Sequence, residues 1–388
     1  MKGHNTTYLP THSASHSAPS SSVSTAAQGQ SPARNAFNLK LVLLFLVWYI
    51  CGSAANIYCK LFLQVVPDSL FLTVCQYAVG VILVTILCTV LSGLGSIQEF
   101  ILRTLSVSAR RSFDWLWVVV VANAVGHWMT NASMGRVNVS LTHTVKAGEP
   151  FFAVFWAYVI LQRTSSAGMV ASLVPIAIGV AIACSSDISF TLIGFLFAMS
   201  SNVVFSLRNI AFKKASKTAH VVAFYGYMCL CGFLILAPVY VAMHILAPLF
   251  SSSNSFSSPL RDKSPSSSYA GRELVEQDDH REGAHPLLFS REVGINLALA
   301  SVTHAAYNCV SFLILRELSP VGHAIGNAMR RIFIISSAII FFGSPISINN
   351  LLGTLLACCG CFLYGLAAQR HQSVPELPTS TKDKSIAV

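Results

Sequence analysis

Charge is what this sequence has least of. Asp, Glu, Lys and Arg make up 10% of its 388 residues, where soluble domains carry about 25%. Too few charges remain to cover a water-facing surface of this size, which excludes an ordinary soluble enzyme. Acids are the scarcer sign, 15 against 25 Lys and Arg. The resulting net charge of +10 does not point to nucleic acid: the basic residues are scattered between apolar stretches, with no basic helix and no basic and aromatic interleaving. The 11 cysteines all lie within or at the ends of apolar segments, with no histidine at ligand spacing. They read as small packing residues, which excludes a disulfide-rich secreted domain and implies no metal or other cofactor.

What the sequence has is apolar material. Hydrophobic residues reach 54%, mean hydropathy is +0.62, and the apolar residues fall in blocks of about 20, the length a helix needs to cross roughly 30 Å of hydrocarbon. Ten blocks are expected, at about 40–63, 70–94, 114–134, 139–161, 167–184, 189–212, 220–245, 293–315, 321–343 and 347–368. The predicted fold is an all-α membrane protein of ten transmembrane helices embedded in a lipid bilayer. Five spans precede residue 185 and five follow, and the fourth and ninth each carry a basic residue followed by an aromatic-rich stretch. That pattern suggests a five-plus-five inverted repeat, which places substrate at the repeat interface near the midplane. An even number of spans puts both termini on one side. Short loops on that side hold the excess of Lys and Arg, as at Arg110, Arg111, Lys213, Lys214 and Lys217, so both termini are expected to face the cytosol or its topological equivalent.

Residues 1–38, rich in Ser, Thr, Ala and His and free of Asp and Glu, read as a disordered leader: either an acid-poor targeting segment or a retained polar tail. The transporter domain is expected over 39–370, with a disordered hydrophilic loop at about 250–290 and a polar tail over 371–388.

Four basic residues fall inside the spans: Lys146, Arg208, Arg330 and Arg331. Each costs on the order of 3 kcal/mol at the bilayer centre, so such residues face a polar interior and mark a pathway or site. One acid, Glu149, stands among them. Lys146 and Glu149, three apart on one helix, can neutralise each other, and Arg208 lies near enough to the end of its span to snorkel. Arg330 and Arg331 sit about ten residues into their helix with no membrane acid left to pair both. An excess of about three buried positive charges calls for a mobile anion. Two guanidinium forks and a compact ammonium suit a phosphate ester. Polar residues stand around them at helical spacing: His127, Thr130 and Asn131 on the third span, His143 on the fourth, and His304, Tyr307 and Asn308 on the eighth. For Asn131, His143, His304 and Asn308 an interhelical hydrogen bond is the competing reading. An enzyme would need a second acid, a nucleophile motif or a metal cluster in the spans, and a scaffold has no use for uncompensated buried arginines, so the expected activity is transport.

The stretches HWMTNASMGRVNVSLTHTVKAGEPFF (127–152) and YNCVSFLILRELSPVGHAIGNAMRRIFII (307–335) resemble the plastid phosphate translocator family of the drug/metabolite transporter superfamily. The similarity runs over roughly residues 40–370, including SNVVFSLRNIAFKKA (201–215). The resemblance implies an antiporter exchanging inorganic phosphate for phosphorylated organic compounds by alternating access. It implies that phosphate is held by Lys146 of the HTxKAxEPFF motif and by Arg330 and Arg331 of the GNxxKR motif, where the family usually has lysine at position 330. It further implies substrate contacts from His127, Thr130, Arg208 and Tyr307. Thr130-Asn131 and the THT before Lys146 resemble the triose phosphate branch; AGEP and SMGRV resemble hexose phosphate carriers. The expected substrates are triose phosphate, 3-phosphoglycerate and phosphoenolpyruvate, with hexose or pentose phosphate or nucleotide-sugar exchange as the alternative. The expected location is a plastid envelope membrane, of a chloroplast or an apicoplast-like organelle, with a Golgi membrane as the alternative.

Overall fold

The computed structural model describes residues 32–92, 113–215, 221–246, 290–317 and 320–373. Residues 1–40 and 41–388 form two units, and of the first only the start of a helix is described. The expected leader before residue 32, most of the hydrophilic loop and the tail beyond residue 373 lie outside the described residues.

Every regular element among the described residues is a helix. In chain order these are α1 (Pro32–Val65), α2 (Ser69–Ser92), α3 (Phe113–Arg136), α4 (Val139–Lys146), α5 (Glu149–Leu161), α6 (Ala167–Ala171), α7 (Leu173–Ser186), α8 (Leu192–Ala215), α9 (Val221–Val241), α10 (Arg291–Glu317), α11 (Pro320–Phe342) and α12 (Ile348–Ser373). A π turn, Ala242–Leu246, extends α9 beyond its internal Pro238. With α4 and α5 forming one broken rod and α6 and α7 another, these are the ten expected spans. α1 starts at Pro32, inside the segment read as leader. Proline is suited to a first helical position, because its fixed φ is already helical and its missing N–H would have had no partner there.

Eight of the spans are long and apolar enough to cross a membrane by length and composition. α3 falls outside that set because Asn123, His127 and Asn131 interrupt its apolar run. Among the described residues, large aliphatic side chains face outward and many polar ones are buried among the apolar core clusters. Ile340 and Ile348 are 81% and 77% exposed, while Asn56, Thr73, Gln76, Asn123, Asn131 and Asn202 are buried. This distribution is what a lipid solvent selects: an aliphatic rim in contact with acyl chains and polar groups satisfied inside the bundle. Hydroxyls and amides within the spans bond back to their own helices, as Asn56 does to the Gly52 carbonyl at 2.7 Å and Thr85 to that of Val81 at 2.8 Å.

Small residues set how closely the helices approach. α3 packs on α8, α7 on α12, and α2 on both α9 and α10. At the α7–α12 contact a Cβ on Gly179 would lie 2.4 Å from the Ala357 nitrogen, and one on Gly353 2.6 Å from the Ala183 nitrogen, so backbone meets backbone there. On the α3–α8 contact, a Cβ on Gly126 would lie 2.9 Å from the Phe205 ring.

The fourth span breaks at Ala147-Gly148, between Lys146 and Glu149. Gly148 N–H bonds the Val145 carbonyl at 3.0 Å in a tightened turn, and Pro150 opens α5 at a position where its missing N–H leaves no gap in the ladder. Three carbonyls around the break accept from side chains: Val145 from Asn202 at 2.9 Å, Glu149 from Ser206 at 3.0 Å and Ala147 from the Cys361 thiol at 3.0 Å. An unwound turn at membrane depth is stable only where it is enclosed by protein and satisfied in this way.

Candidate functional site

The break decides where Lys146 and Glu149 go. On a continuous helix they would pair, as their spacing suggests. Instead Lys146, at the end of α4, donates to Thr130 Oγ1 and Ser201 Oγ, both at 3.0 Å, and stands over the Phe205 ring at 4.4 Å. Glu149, at the start of α5, forms an ion pair with Arg331 of α11. Its other oxygen accepts from Asn209 at 2.9 Å.

From Glu149 a polar chain runs to the wall of the bundle. Asn209 Oδ1 accepts from Arg208 Nη2 at 2.9 Å and Nε at 3.2 Å. Arg208 Nη1 donates to Asn123 Oδ1 at 2.9 Å, and Asn123 donates to the Tyr77 hydroxyl at 2.7 Å. Arg208 also stands over the Phe205 ring at 4.6 Å. It is anchored inside the bundle and does not snorkel.

Aromatic rings close the circuit. His127 lies edge-on to Phe205 at 5.1 Å and to His304 at 4.6 Å, and His304 lies 5.2 Å from Tyr307. The Arg330 guanidinium stands over the Tyr307 ring at 5.0 Å and over Trp48 at 5.1 Å. Asn327, one turn earlier, accepts from Arg330 Nη2 at 2.9 Å and Nε at 3.2 Å. Gly52 on α1 makes room for it, since a Cβ there would touch Arg330 Cδ at 3.4 Å. The seven residues singled out from the sequence, His127, Thr130, Lys146, Arg208, Tyr307, Arg330 and Arg331, are therefore joined by one continuous set of contacts.

The charges are unbalanced. Lys146 lies within electrostatic reach of Arg208, Arg330, Arg331 and Glu149, four cations and one carboxylate. Arg331 is 7% exposed, and its Nη1 is buried without a hydrogen-bond partner among the described residues. A buried guanidinium nitrogen left without an acceptor is costly unless an anion is drawn to it. Among the described residues no group of three or more His, Cys, Asp or Glu side chains could hold a metal ion.

Of the four residues with a competing structural reading, two follow it. Asn131 donates to Thr73 and Gln76 of α2, both at 2.9 Å, and His143 meets Asn56 of α1 at 2.7 Å. The Asn308 amide bonds the His304 carbonyl of its own helix at 2.9 Å, with no partner on another helix among the described residues. His304 instead joins the aromatic chain. Phe205, Ser201, Asn209, Asn123 and Trp48 complete the site and do not stand out in the sequence reading. Ser201 and Asn209 are readable as polar interruptions of an apolar span; Phe205 and Trp48 carry no sequence signal among many aromatics.

A cavity of about 330 Å³ opens at one end of the bundle, lined by Lys60, Asn138, Ser140, Ala338 and Phe342 among others. Lys60, Asn56 and Gly52 are successive turns of α1. The first lines the cavity, the second bonds His143 and the third lies against Arg330. The cavity thus ends two helical turns from the charged centre, with the Asn56–His143 bond between them.

The sequence pattern of the Triose-phosphate Transporter family matches residues 39–365. Phosphoenolpyruvate/phosphate translocator 2, chloroplastic, of Arabidopsis thaliana is 32% identical over 340 residues, covering 87% of this chain and 79% of its own. The non-green plastid triose phosphate/phosphate translocator of Brassica oleracea var. botrytis is 31% identical over 330 residues, covering 84% and 72%. Glucose-6-phosphate/phosphate translocator 1, chloroplastic, of Arabidopsis thaliana is 30% identical over 347 residues, covering 88% and 79%. With its arginine pair and its Lys146 turn inside the matched region, this multi-pass membrane protein belongs to the triose-phosphate transporter family.

Proposed function

We propose that this chain exchanges inorganic phosphate for phosphorylated three-carbon compounds (triose phosphate, 3-phosphoglycerate or phosphoenolpyruvate) across a plastid envelope membrane, with both termini on the cytosol-equivalent side. The observation that carries the reading is the excess of positive charge inside the bundle, with Lys146 and Arg331 buried and Arg208 and Arg330 partly so. Lys146, Arg208, Arg330 and Arg331 share one carboxylate, and Arg331 Nη1 has no acceptor among the described residues. Guanidinium forks and an ammonium match phosphate oxygens in charge and geometry. Thr130 and Ser201, already on Lys146, would orient its third N–H to a phosphate oxygen. His127, Arg208 and Tyr307 would meet the carbon moiety or its second anionic group. The transporter domain is assigned to residues 39–370, flanked by a leader and a polar tail that take no part in the chemistry.

Exchange follows from the electrostatics. Closing an empty site away from water would bury about three uncompensated charges, at several kcal/mol. A bound phosphate compensates them, so the loaded carrier reorients and the empty one stays. Alternating access between two five-span halves is supported by the packing: the second span contacts the seventh, the fourth the ninth and the fifth the tenth, the pairs that a two-fold axis between halves would bring together.

The test is uptake of labelled phosphate into liposomes holding the purified protein, preloaded in parallel with phosphate, dihydroxyacetone phosphate, phosphoenolpyruvate, glucose 6-phosphate, a nucleotide sugar or nothing. Uptake that requires an internal three-carbon phosphate or phosphate is the expected result. Uptake into empty liposomes at the same rate would overturn strict exchange. Uptake driven only by glucose 6-phosphate, the substrate named for one Arabidopsis relative, would move the reading to hexose phosphates, and uptake driven only by nucleotide sugar would move it out of this branch.

A further inference from the structure

Among the described residues Glu149 is the one acid inside the charged centre, and both of its carboxylate oxygens are engaged. One carboxylate oxygen is paired with Arg331 Nη2, and the other accepts from Asn209, which in turn holds Arg208 by two bonds. Its main chain is fixed independently, through the Ser206 bond to its carbonyl and the turn at Ala147-Gly148. The side chain therefore reaches two arginines, one directly and one through an amide. Arg331 is 182 residues away, on the ninth span, whereas Glu149 belongs to the fourth. Only one edge of the Arg331 fork is taken, since Nη1 has no acceptor among the described residues. A phosphate taking both terminal nitrogens of Arg331 needs an N–H of Nη2, the nitrogen paired with Glu149, and there its negative charge meets that carboxylate.

Resting on the phosphate-site reading above, we infer that Glu149 is an internal stand-in for the transported anion. Without phosphate its carboxylate neutralises Arg331 and ties the fourth span to the ninth. An entering phosphate displaces it from Nη2 and takes both edges of the fork. The displaced carboxylate keeps a partner, because Asn209 still donates to it and Arg208 lies on the far side of that amide. The competition is one carboxylate against one phosphate for one guanidinium edge, with no proton or covalent change. It makes the affinity for phosphate lower than four cations alone would give, and so lets the carrier release its cargo after reorienting.

The experiment is titration of inorganic phosphate onto the full-length purified protein by calorimetry, comparing wild type, Glu149→Gln and Glu149→Asp. Removing the competing charge is expected to lower Kd for phosphate about tenfold in Glu149→Gln, as loss of one nearby like charge predicts. The shorter Glu149→Asp, which keeps its charge but loses its reach to Arg331, is expected to fall between. A Glu149→Gln protein that binds phosphate as the wild type does, or more weakly, would overturn the inference and leave Glu149 a positioning residue for Arg331. Should Glu149→Gln not fold, Glu149→Asp decides by the same criterion. Infrared difference spectra give a second readout: phosphate is expected to shift a carboxylate stretch in the wild type, and the shift is expected to vanish in Glu149→Gln. Wild-type binding without the expected gain refutes this inference alone, whereas a folded wild type that binds no phosphate refutes the transport reading with it.

Discussion

Asn202 donates to the Val145 carbonyl across 57 residues, at 2.9 Å, and stands where the fourth span stops being a helix. Lys146 and Glu149 part ways at that point, so an amide on α8 braces the turn that sets the geometry of the charged centre. Replacing Asn202 with Ala removes one of two donors to the Val145 carbonyl, the Gly148 N–H remaining, at a cost of about 0.5–1.5 kcal/mol, the net value of one hydrogen bond. The expected result is a Tm lower by several degrees in detergent together with reduced phosphate uptake. Cys361→Ala removes only a weak thiol donor from the neighbouring Ala147 carbonyl and is expected to lower Tm less. Equal effects from the two substitutions would show that the break is held by the chain alone.

A second prediction concerns the size of the Lys146 site. The ammonium is enclosed by Thr130 Oγ1, Ser201 Oγ and the Phe205 ring, and the ring is itself held by Gly126, which leaves no room for a larger residue. Lys146→Arg keeps the charge but brings a wide planar fork into a space built for a point. Uptake is expected to fall at least about tenfold, close to the level of Lys146→Ala, since a misplacement of about 1 Å at a binding centre already has effects of that order. Ser201→Ala keeps the lysine and removes one of its two hydroxyl partners. It is expected to raise KM by roughly fivefold, the value of a modest hydrogen bond. A Lys146→Arg protein with wild-type uptake would contradict this geometry.

The ten spans and the four membrane cations are legible in the sequence because lipid leaves so strong a mark: an apolar run of about 20 residues is rare outside a bilayer, and a charge within such a run is rarer still. Partners are less legible. Lys146 and Glu149 sit three apart, a spacing that means pairing on an intact helix; that the helix breaks between them depends on donors at Asn202 and Ser206, more than 50 residues away. Gly148 followed closely by Pro150 is a breaker pattern and the one local clue. Phe205 and Trp48 carry cations on their faces, yet an aromatic in a sequence with 24 Phe and 5 Trp has no mark of its own. α1 starts earlier than expected: residues 32–38, PARNAFN, have no continuous apolar run, and composition alone does not distinguish such a first turn from a leader.

The α7–α12 contact supplies a prediction independent of transport. A Cβ on Gly179 would meet the Ala357 nitrogen at 2.4 Å and the Gly353 oxygen at 2.5 Å. Both are backbone atoms that cannot turn aside, so the helices must separate. Gly179→Ala is expected to cost at least about 2 kcal/mol, in the range of an overpacked core, and to lower Tm with or without phosphate. Gly168→Ala, where the nearest atom would be the Ala367 Cβ at 3.6 Å, is the matched control and is expected to leave Tm unchanged. A small effect at Gly179 would mean that the two helices approach less closely than described.

Arg330 supplies the last prediction. It is a planar group, and its surroundings make use of the plane: it stands over the rings of Trp48 and Tyr307 and binds Asn327 Oδ1 through Nε and Nη2. Arg330→Lys keeps the charge and loses both the stacking and the forked bond. Trp48→Leu keeps the arginine and removes one ring. Each change is expected to raise KM for phosphate by roughly three- to thirtyfold, the value of a partly desolvated cation–π contact. Both act on one interaction, so the double substitution is expected to be little worse than Arg330→Lys alone, within about 0.5 kcal/mol of it in a double-mutant cycle. Additive effects would show that Trp48 serves the site by some route other than the guanidinium. Arg330→Ala, which removes the charge itself, is expected to abolish exchange. The gap between Arg330→Ala and Arg330→Lys then separates what the charge does for the anion from what the plane does for the geometry of the pocket.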